Sequence, residues 1–382
     1  MTNLIVATRS ELEEQNISTL IDVSRPDWAT NQLAAIALLQ GKDIEQLLDL
    51  YLEKRYDYIL RLIEDSATIL NIVDEMKKTL HIVEELFVHG ELIHAIHSVC
   101  NGQYKCELIR EMCADQAFAF EKTIYEDMDR VWRQMREKLS GRGSGTLPSQ
   151  LVVEKCSAWI DRTSTLTHKL VSEVCEYFDS LDQIVDLLQA ITLSLKQDWP
   201  KIGSCRVVYD KLLQTAVVDK AKILLTEMIA FIEISAKKRF ESTNDGPPTA
   251  IFDDRTYRPD SNSHIGISTQ LYKCVKTLWE SLEKVNEKCC QFEAICAPMA
   301  DMATASAMKE TMATSVLELL LRLCELHSDK SNGSARFLAR ARLALALVHS
   351  ESTLISTLLD KDSNRITSLN QRLHSIIEKN LG

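Results

Sequence analysis

The sequence predicts an all-α fold, arranged as an elongated rod of stacked antiparallel helical bundles. Two observations carry that expectation. Apolar residues recur at three- and four-residue steps through most of the chain, the period of a helix with one buried face. Glycine (11) and proline (7) are scarce among 382 residues, which disfavours a loop-rich β protein and favours long uninterrupted helices. With 45% hydrophobic and 26% charged residues, the composition is that of a folding chain rather than a disordered one. The apolar stripes are wider than a coiled-coil seam and show no fixed repeat, so they suit bundles rather than a zipper or a solenoid.

Residues 1–30 read as a helix end and a connection, broken at Asp22 to Pro26. Asn31 to Asp65 reads as a helical hairpin. Leu33, Ile36, Leu38 and Leu39 form its first stripe, and Gly41 stops it because glycine takes a positive φ at little cost. Asp43 then caps the second helix, with Gln46 placed for a capping box. Ile44, Leu47, Leu48, Tyr51, Leu52, Ile59, Leu62 and Ile63 make its apolar face, while Glu45, Asp49, Glu53, Lys54 and Arg61 make a polar one. The helical period runs on through Ile72, Met76, Leu80 and Val83 to about Cys100, where Asn101-Gly102 marks a turn. Cys106 to Leu139 is another long helix. Ser140 to Thr146, closed by Pro148, is a Gly/Ser linker and a candidate hinge.

Past the linker, Val152 to Trp199 is helical with a weak break near Asp179 to Asp182, and it ends before Pro200. Gly203-Ser204 opens the next helix, which carries Val207, Leu212, Leu213, Val217, Ile223, Leu224, Met228, Ile229, Phe231 and Ile232. Glu241 to Ile265 lacks periodicity and contains Pro247-Pro248, so it reads as a flexible polar loop. Helices resume from Thr269, interrupted near Pro298 and at Ser328 to Asn332. The expected organisation is an N-terminal bundle at 1–139, a linker at 140–149, a middle bundle at 150–240, the polar loop at 241–268 and a C-terminal bundle at 269–382.

Charge and composition exclude several function classes. A net charge of −11 with no polybasic block argues against nucleic acid and against direct docking on anionic lipid. No segment approaches the roughly 20 apolar residues of a membrane span, and the start, MTNLIVATRSELEEQ, lacks the basic region and apolar run of a secretory signal. The eleven cysteines fall mostly on apolar helix faces without secreted-module spacing, the usage of a reduced compartment.

No constellation carries a reaction. His89, His94, His97 and Cys100 offer imidazole and thiolate, but neither a paired CxxC nor an HExxH sequence accompanies them, so packing is the better reading. Cys289 and Cys290 are adjacent and point to different faces of a helix, and with Cys296 they read as packing cysteines. Gly141, Gly143 and Gly145 follow a charged helix rather than the strand a dinucleotide loop needs. Glu84-Glu85 and Asp253-Asp254 read as solvated carboxylates, and no nucleophile elbow is present. No catalytic, cofactor-binding or metal residue is therefore expected, and the chain does not read as an enzyme.

Four blocks nevertheless resemble, in order, a known family. Ala34 to Asp65, AAIALLQGKDIEQLLDLYLEKRYDYILRLIED, is similar to the paired helices of subunit 1 of the conserved oligomeric Golgi complex. Lys155 to Ile191 resembles that family's Trp-Ile helix and the helix after it. Ser204 to Glu233 resembles a further block, with Val217 and Val218 where the family has a tryptophan. Ala335 to Leu359 resembles its FLAR block, without the family's proline. Family members are larger, so the resemblance places this chain as a central portion, without the N-terminal coiled-coil region. It implies a non-catalytic scaffold subunit of a vesicle-tethering complex, peripheral on the cytosolic face of the Golgi membrane. Its role would be intra-Golgi retrograde transport, Golgi organisation and indirect support of glycosylation. The implied partners are the other subunits of the complex, with SNAREs, small GTPases and coat proteins, and no cofactor. The alternative is a helical GTPase-regulatory or other protein-interaction module, which needs an exposed Arg or Glu finger; Arg340 and Arg342 lie near the end of the chain, but a solvated helix face explains them more simply.

Overall fold

The structure, a computed structural model, describes residues 10–12, 14–18, 25–100, 130, 146–213, 216–242, 269–299, 301–325 and 363–381. Among these residues every regular element is helical and no strand occurs, so the chain is all-α as expected. The Gly/Ser stretch before Thr146, the expected helix from Cys106 to Leu139, most of the polar loop, and the Ala335 to Leu359 block with Arg340 and Arg342 lie outside the described residues. The chain divides into two compact units. The first comprises Met1–Glu173 with Ala190–Leu213, and the second Val174–Gln189 with Gln214–Gly382. Residues 150–240, expected as one middle bundle, thus contribute to both.

In the first unit α1 (Pro26–Gln40) starts with proline in its first turn, where the missing N–H costs nothing. It ends at Gly41, whose φ of 63° and N–H bond to the Ala37 carbonyl close the helix. α2 (Ile44–Glu64) opens on the expected capping box: the Gln46 N–H donates to the Asp43 carboxylate at 2.9 Å, and the Asp43 N–H donates to Gln46 Oε1 at 3.1 Å. α3 (Ile69–Val83) is capped by Thr68, which accepts from the Asn71 N–H, and it buries Ile72, Val73, Met76 and Leu80.

The helical period expected to persist to about Cys100 is interrupted after α3. A π turn, Glu84–Val88, follows α3, with the His89 N–H donating to the Glu84 carbonyl. Leu86 and Phe87 within this turn are both buried. Gly90, at φ 83°, then redirects the chain into α4 (Glu91–Cys100). A Cβ there would sit 3.3 Å from Thr146 Cγ2, in a backbone region that side chains rarely adopt. Gly90→Ala is therefore expected to lower stability by about 1–2 kcal/mol; an unchanged urea midpoint would mean that the turn relaxes to a negative φ.

α5 (Ser149–Glu176) and α6 (Leu181–Lys196) are separated at residues 177–180, close to the expected break, and α6 ends before Pro200. α7 (Cys205–Leu213) follows a turn in which the Trp199 indole donates to the Gly203 carbonyl at 3.1 Å. α5 lies along α2 in the same direction, since Lys155 meets Glu45 and Asp49 while Arg162, seven residues on, meets Glu53. The last turn of α6 sits beside α3, where Lys77 donates to the Ser194 and Gln197 carbonyls and the Ser194 hydroxyl donates to Asp74. A cation at a helix C-terminus satisfies orphan carbonyls and the negative end of the dipole together.

The second unit is built on α8 (Ala216–Ser242), α9 (Thr269–Cys296) and α10 (Met302–Glu325), which pack on one another, with α11 (Ser363–Leu381) against α10. A short 3₁₀ turn, Ala297–Met299, breaks the path at Pro298 as expected, and buried Asp301 accepts from the Thr304 N–H to start α10. Leu224, Leu225 and Ile229 of α8 join a buried core with Leu282, Phe292, Met308, Val316 and Leu319. Lys288 pairs with Asp182, Lys309 with Glu293, and Arg322 with Glu233. No helix among the described residues is long and apolar enough to cross a membrane.

Candidate interaction surface

α8 is apolar on more than one face. Val217, Ala221, Leu224, Leu225 and Ile229 are buried in the second unit. Ile223, Phe231 and Ile234 are directed the other way, with 53%, 71% and 65% of their surface exposed. At 100° per residue these three, with Glu227 and Ala230, form a strip along a little over three turns of the helix. Both Glu227 and Ala230 are exposed. The sequence expectation had grouped Ile223 and Phe231 with the core positions of a single stripe, and the structure corrects that. The signal is an excess: a one-sided surface helix has no place for large apolar residues at both 225 and 229 and, about 120–180° around from them, at 223 and 234.

The polar face expected on α2 is not simply solvated. Glu45, Asp49 and Glu53 face α5, where Lys155 reaches both Asp49 oxygens at 2.6 and 2.7 Å and Glu45 at 3.2 Å. Arg162 grips the Glu53 carboxylate with two nitrogens and stacks 3.7 Å from the centre of the Tyr56 ring. Partial burial alone would pull the Lys155 pKa down, but the hydrogen bonds and charges of Asp49 and Glu45 outweigh it and raise it. This ladder is occupied by the chain's own cations and leaves no open acidic site.

A second polar group lies inside. Arg55 is fully buried, donating from Nε to Thr79 Oγ1 at 3.0 Å and from Nη2 to Glu75 at 2.5 Å. Burial raises the Glu75 pKa, yet hydrogen bonds from Lys78 and Arg55, together with their charges, hold it below the ordinary carboxylate value. Tyr51, one turn before Arg55 and fully buried, has its phenol pushed well up by burial. The network ties α2 to α3.

The candidate ligands separate. His89, His94 and His97 are all exposed rather than packed in the core, and no group of three or more His, Cys, Asp or Glu among the described residues could hold a metal. Glu85 is exposed and Glu84 half-buried at the π turn, while the Gly141 to Gly145 loop and Asp253-Asp254 lie outside the described residues. Cys289 and Cys296 are buried, as packing cysteines should be, but Cys290 is exposed. Burial pushes the thiols of Cys156 and Cys289 up to about 12. Only the thiolate is an effective nucleophile. In the folded protein at neutral pH, iodoacetamide is therefore expected to label Cys290 well before Cys289 or Cys156, as peptide mapping would read; comparable labelling of all three would show that α9 and α5 open.

Comparison with protein-family models gives no match to this chain, and comparison with curated proteins gives none either.

Proposed function

We propose that the chain is a non-catalytic helical scaffold that works by docking partner helices on its exposed faces. The observation that carries this is the double-sided character of α8, with Phe231 and Ile234 more than half exposed while the opposite side builds a core. Surface apolar residues scattered singly need no explanation, but three aligned on one helix do. The resemblance of Ala34–Asp65, Lys155–Ile191, Ser204–Glu233 and Ala335–Leu359 to subunit 1 of the conserved oligomeric Golgi complex supplies the cellular setting of the proposal. In that setting the chain is peripheral at the cytosolic face of the Golgi membrane, held there through protein partners, and it helps tether vesicles in retrograde intra-Golgi transport. A net charge of −11 favours recruitment by proteins over anionic lipid.

Affinity isolation of the tagged chain from the cells that make it, with imaging of its location, tests this reading. Recovery of other oligomeric Golgi subunits and a Golgi distribution are expected. A chain that co-purifies with nothing and does not concentrate at the Golgi would sink it.

A further inference from the structure

The outer face of α8 carries a self-complementary pattern. Glu227, Phe231, Ile234 and Lys238 follow one another at steps of four, three and four residues, and all four are exposed. At 100° per residue they fall within about 60° of one another around the helix, so they form one seam. Among the described residues neither the Glu227 carboxylate nor the Lys238 ammonium makes a hydrogen bond or ion pair. Their neighbours Glu233 and Lys237 are engaged with each other. The seam is two apolar side chains flanked by one unpaired charge of each sign.

We infer that this seam pairs with the same seam of a second copy of this chain, the two α8 helices running antiparallel about a two-fold axis near residues 232 and 233. The inference rests on the scaffold reading above for the role of this face and names one of its partners. In that register Phe231 of each copy lies level with Ile234 of the other, and Glu227 of each lies level with Lys238 of the other. The four apolar side chains meet at the centre, and two ion pairs close the ends. Covering a carboxylate or an ammonium without a counter-charge is unfavourable, and here each copy supplies the charge that the other lacks. The two Glu227 residues stand about 16.5 Å apart along the axis, beyond the screening length at physiological salt. Other arrangements lose this match. Parallel pairing in register sets Glu227 against Glu227 and Lys238 against Lys238. Sliding the antiparallel helices until Ile223 meets Ile234 brings the two Glu227 residues to about 4.5 Å apart along the axis. In the favoured register Ile223 lies at the edge of the paired length, level with Ser242 of the copy. An interface of about three turns per copy is small, so the dimer dissociates on dilution and the dilute chain is a monomer with its seam in water.

The test is sedimentation of the purified full chain over a concentration series up to about 100 μM, alone and with charge variants at these exposed positions. A monomer–dimer equilibrium is expected. Glu227→Lys and Lys238→Glu should each weaken self-association at least tenfold, because each sets like charges at both ends of the seam. An equimolar mixture of the two variants should dimerise as the unaltered chain does, since every facing pair is again of opposite sign. That rescue cannot come from a variant that fails to fold. A chain that stays monomeric throughout, a dimer indifferent to either change, or a mixture that does not associate overturns the inference. So does growth beyond dimers, which a closed two-fold pairing does not allow. Sedimentation reads the chain alone, which separates the two readings. A monomer whose tagged form still brings oligomeric Golgi subunits from cells means that the pairing is wrong and the scaffold stands. A dimer whose tagged form recovers nothing but its own copies, away from the Golgi, means that the scaffold reading has failed while the pairing stands.

Discussion

Arg55→Ala is expected to destabilise the first unit by about 3–5 kcal/mol, the range for breaking a buried ion pair from one side. The side chain is fully buried, and its guanidinium is held by Glu75 at 2.5 Å and Thr79 at 3.0 Å. Removing it leaves a cavity at the α2–α3 contact and takes from Glu75 one of its two cations, the other being Lys78. Arg55→Met fills the volume without the charge, so it should lose less, the more so because Lys78 still pairs with Glu75 at 2.7 Å. Hydrogen exchange of α2 amides, alongside urea unfolding, localises the effect. A loss below about 1 kcal/mol for Arg55→Ala would mean that water or a neighbouring cation replaces the guanidinium.

The same network sets a pH dependence. A carboxyl whose folded pKa lies below its unfolded value, about 4.3 for glutamate, stabilises the fold above that value. That contribution disappears as pH falls through the depressed folded pKa. Glu75 is such a group. Glu75→Gln should therefore flatten the acid limb of the stability profile below about pH 4.3 relative to the unaltered chain; two parallel acid limbs would rule out Glu75 as a contributor.

The second large effect separates two phenylalanines of similar sequence character. Phe292 is fully buried in the second unit, and Phe292→Ala is expected to cost about 3–5 kcal/mol in transfer and cavity terms. Phe231→Ala should change stability by no more than about 0.5 kcal/mol, because most of that ring already faces water. Its effect should appear instead in the proteins recovered with the chain. Equal destabilisation by the two changes would show that α8 has its outer face covered in solution.

Much of the architecture was legible along the chain, and the reason is locality. Gly41 ends α1, Asp43 and Gln46 form their capping box, and the breaks before Pro200 and at Pro298 stand where they were expected. Each depends on φ preferences or on a hydrogen bond spanning a few residues, so neighbours in sequence suffice to specify it. The π turn escaped notice because Glu84 to Val88 carries an ordinary helical pattern.

What the sequence determined by itself was the helices, their ends and most of their buried faces. What tertiary structure decided was the fate of side chains whose partners come from far along the chain. Arg55 falls on the apolar face of α2, four residues from both Tyr51 and Ile59, and it is stable there only because Glu75 and Thr79 arrive from α3. Glu45, Asp49 and Glu53 read only as a polar face, and their partners, Lys155 and Arg162 of α5, come from far along the chain. Ile223 and Phe231 read as core by the same helical spacing that correctly placed Leu224 and Ile229, yet they face water. Periodicity records that a residue is apolar and on which side of its helix it lies; which sides are covered depends on where the other helices sit, and that is a property of the assembled fold.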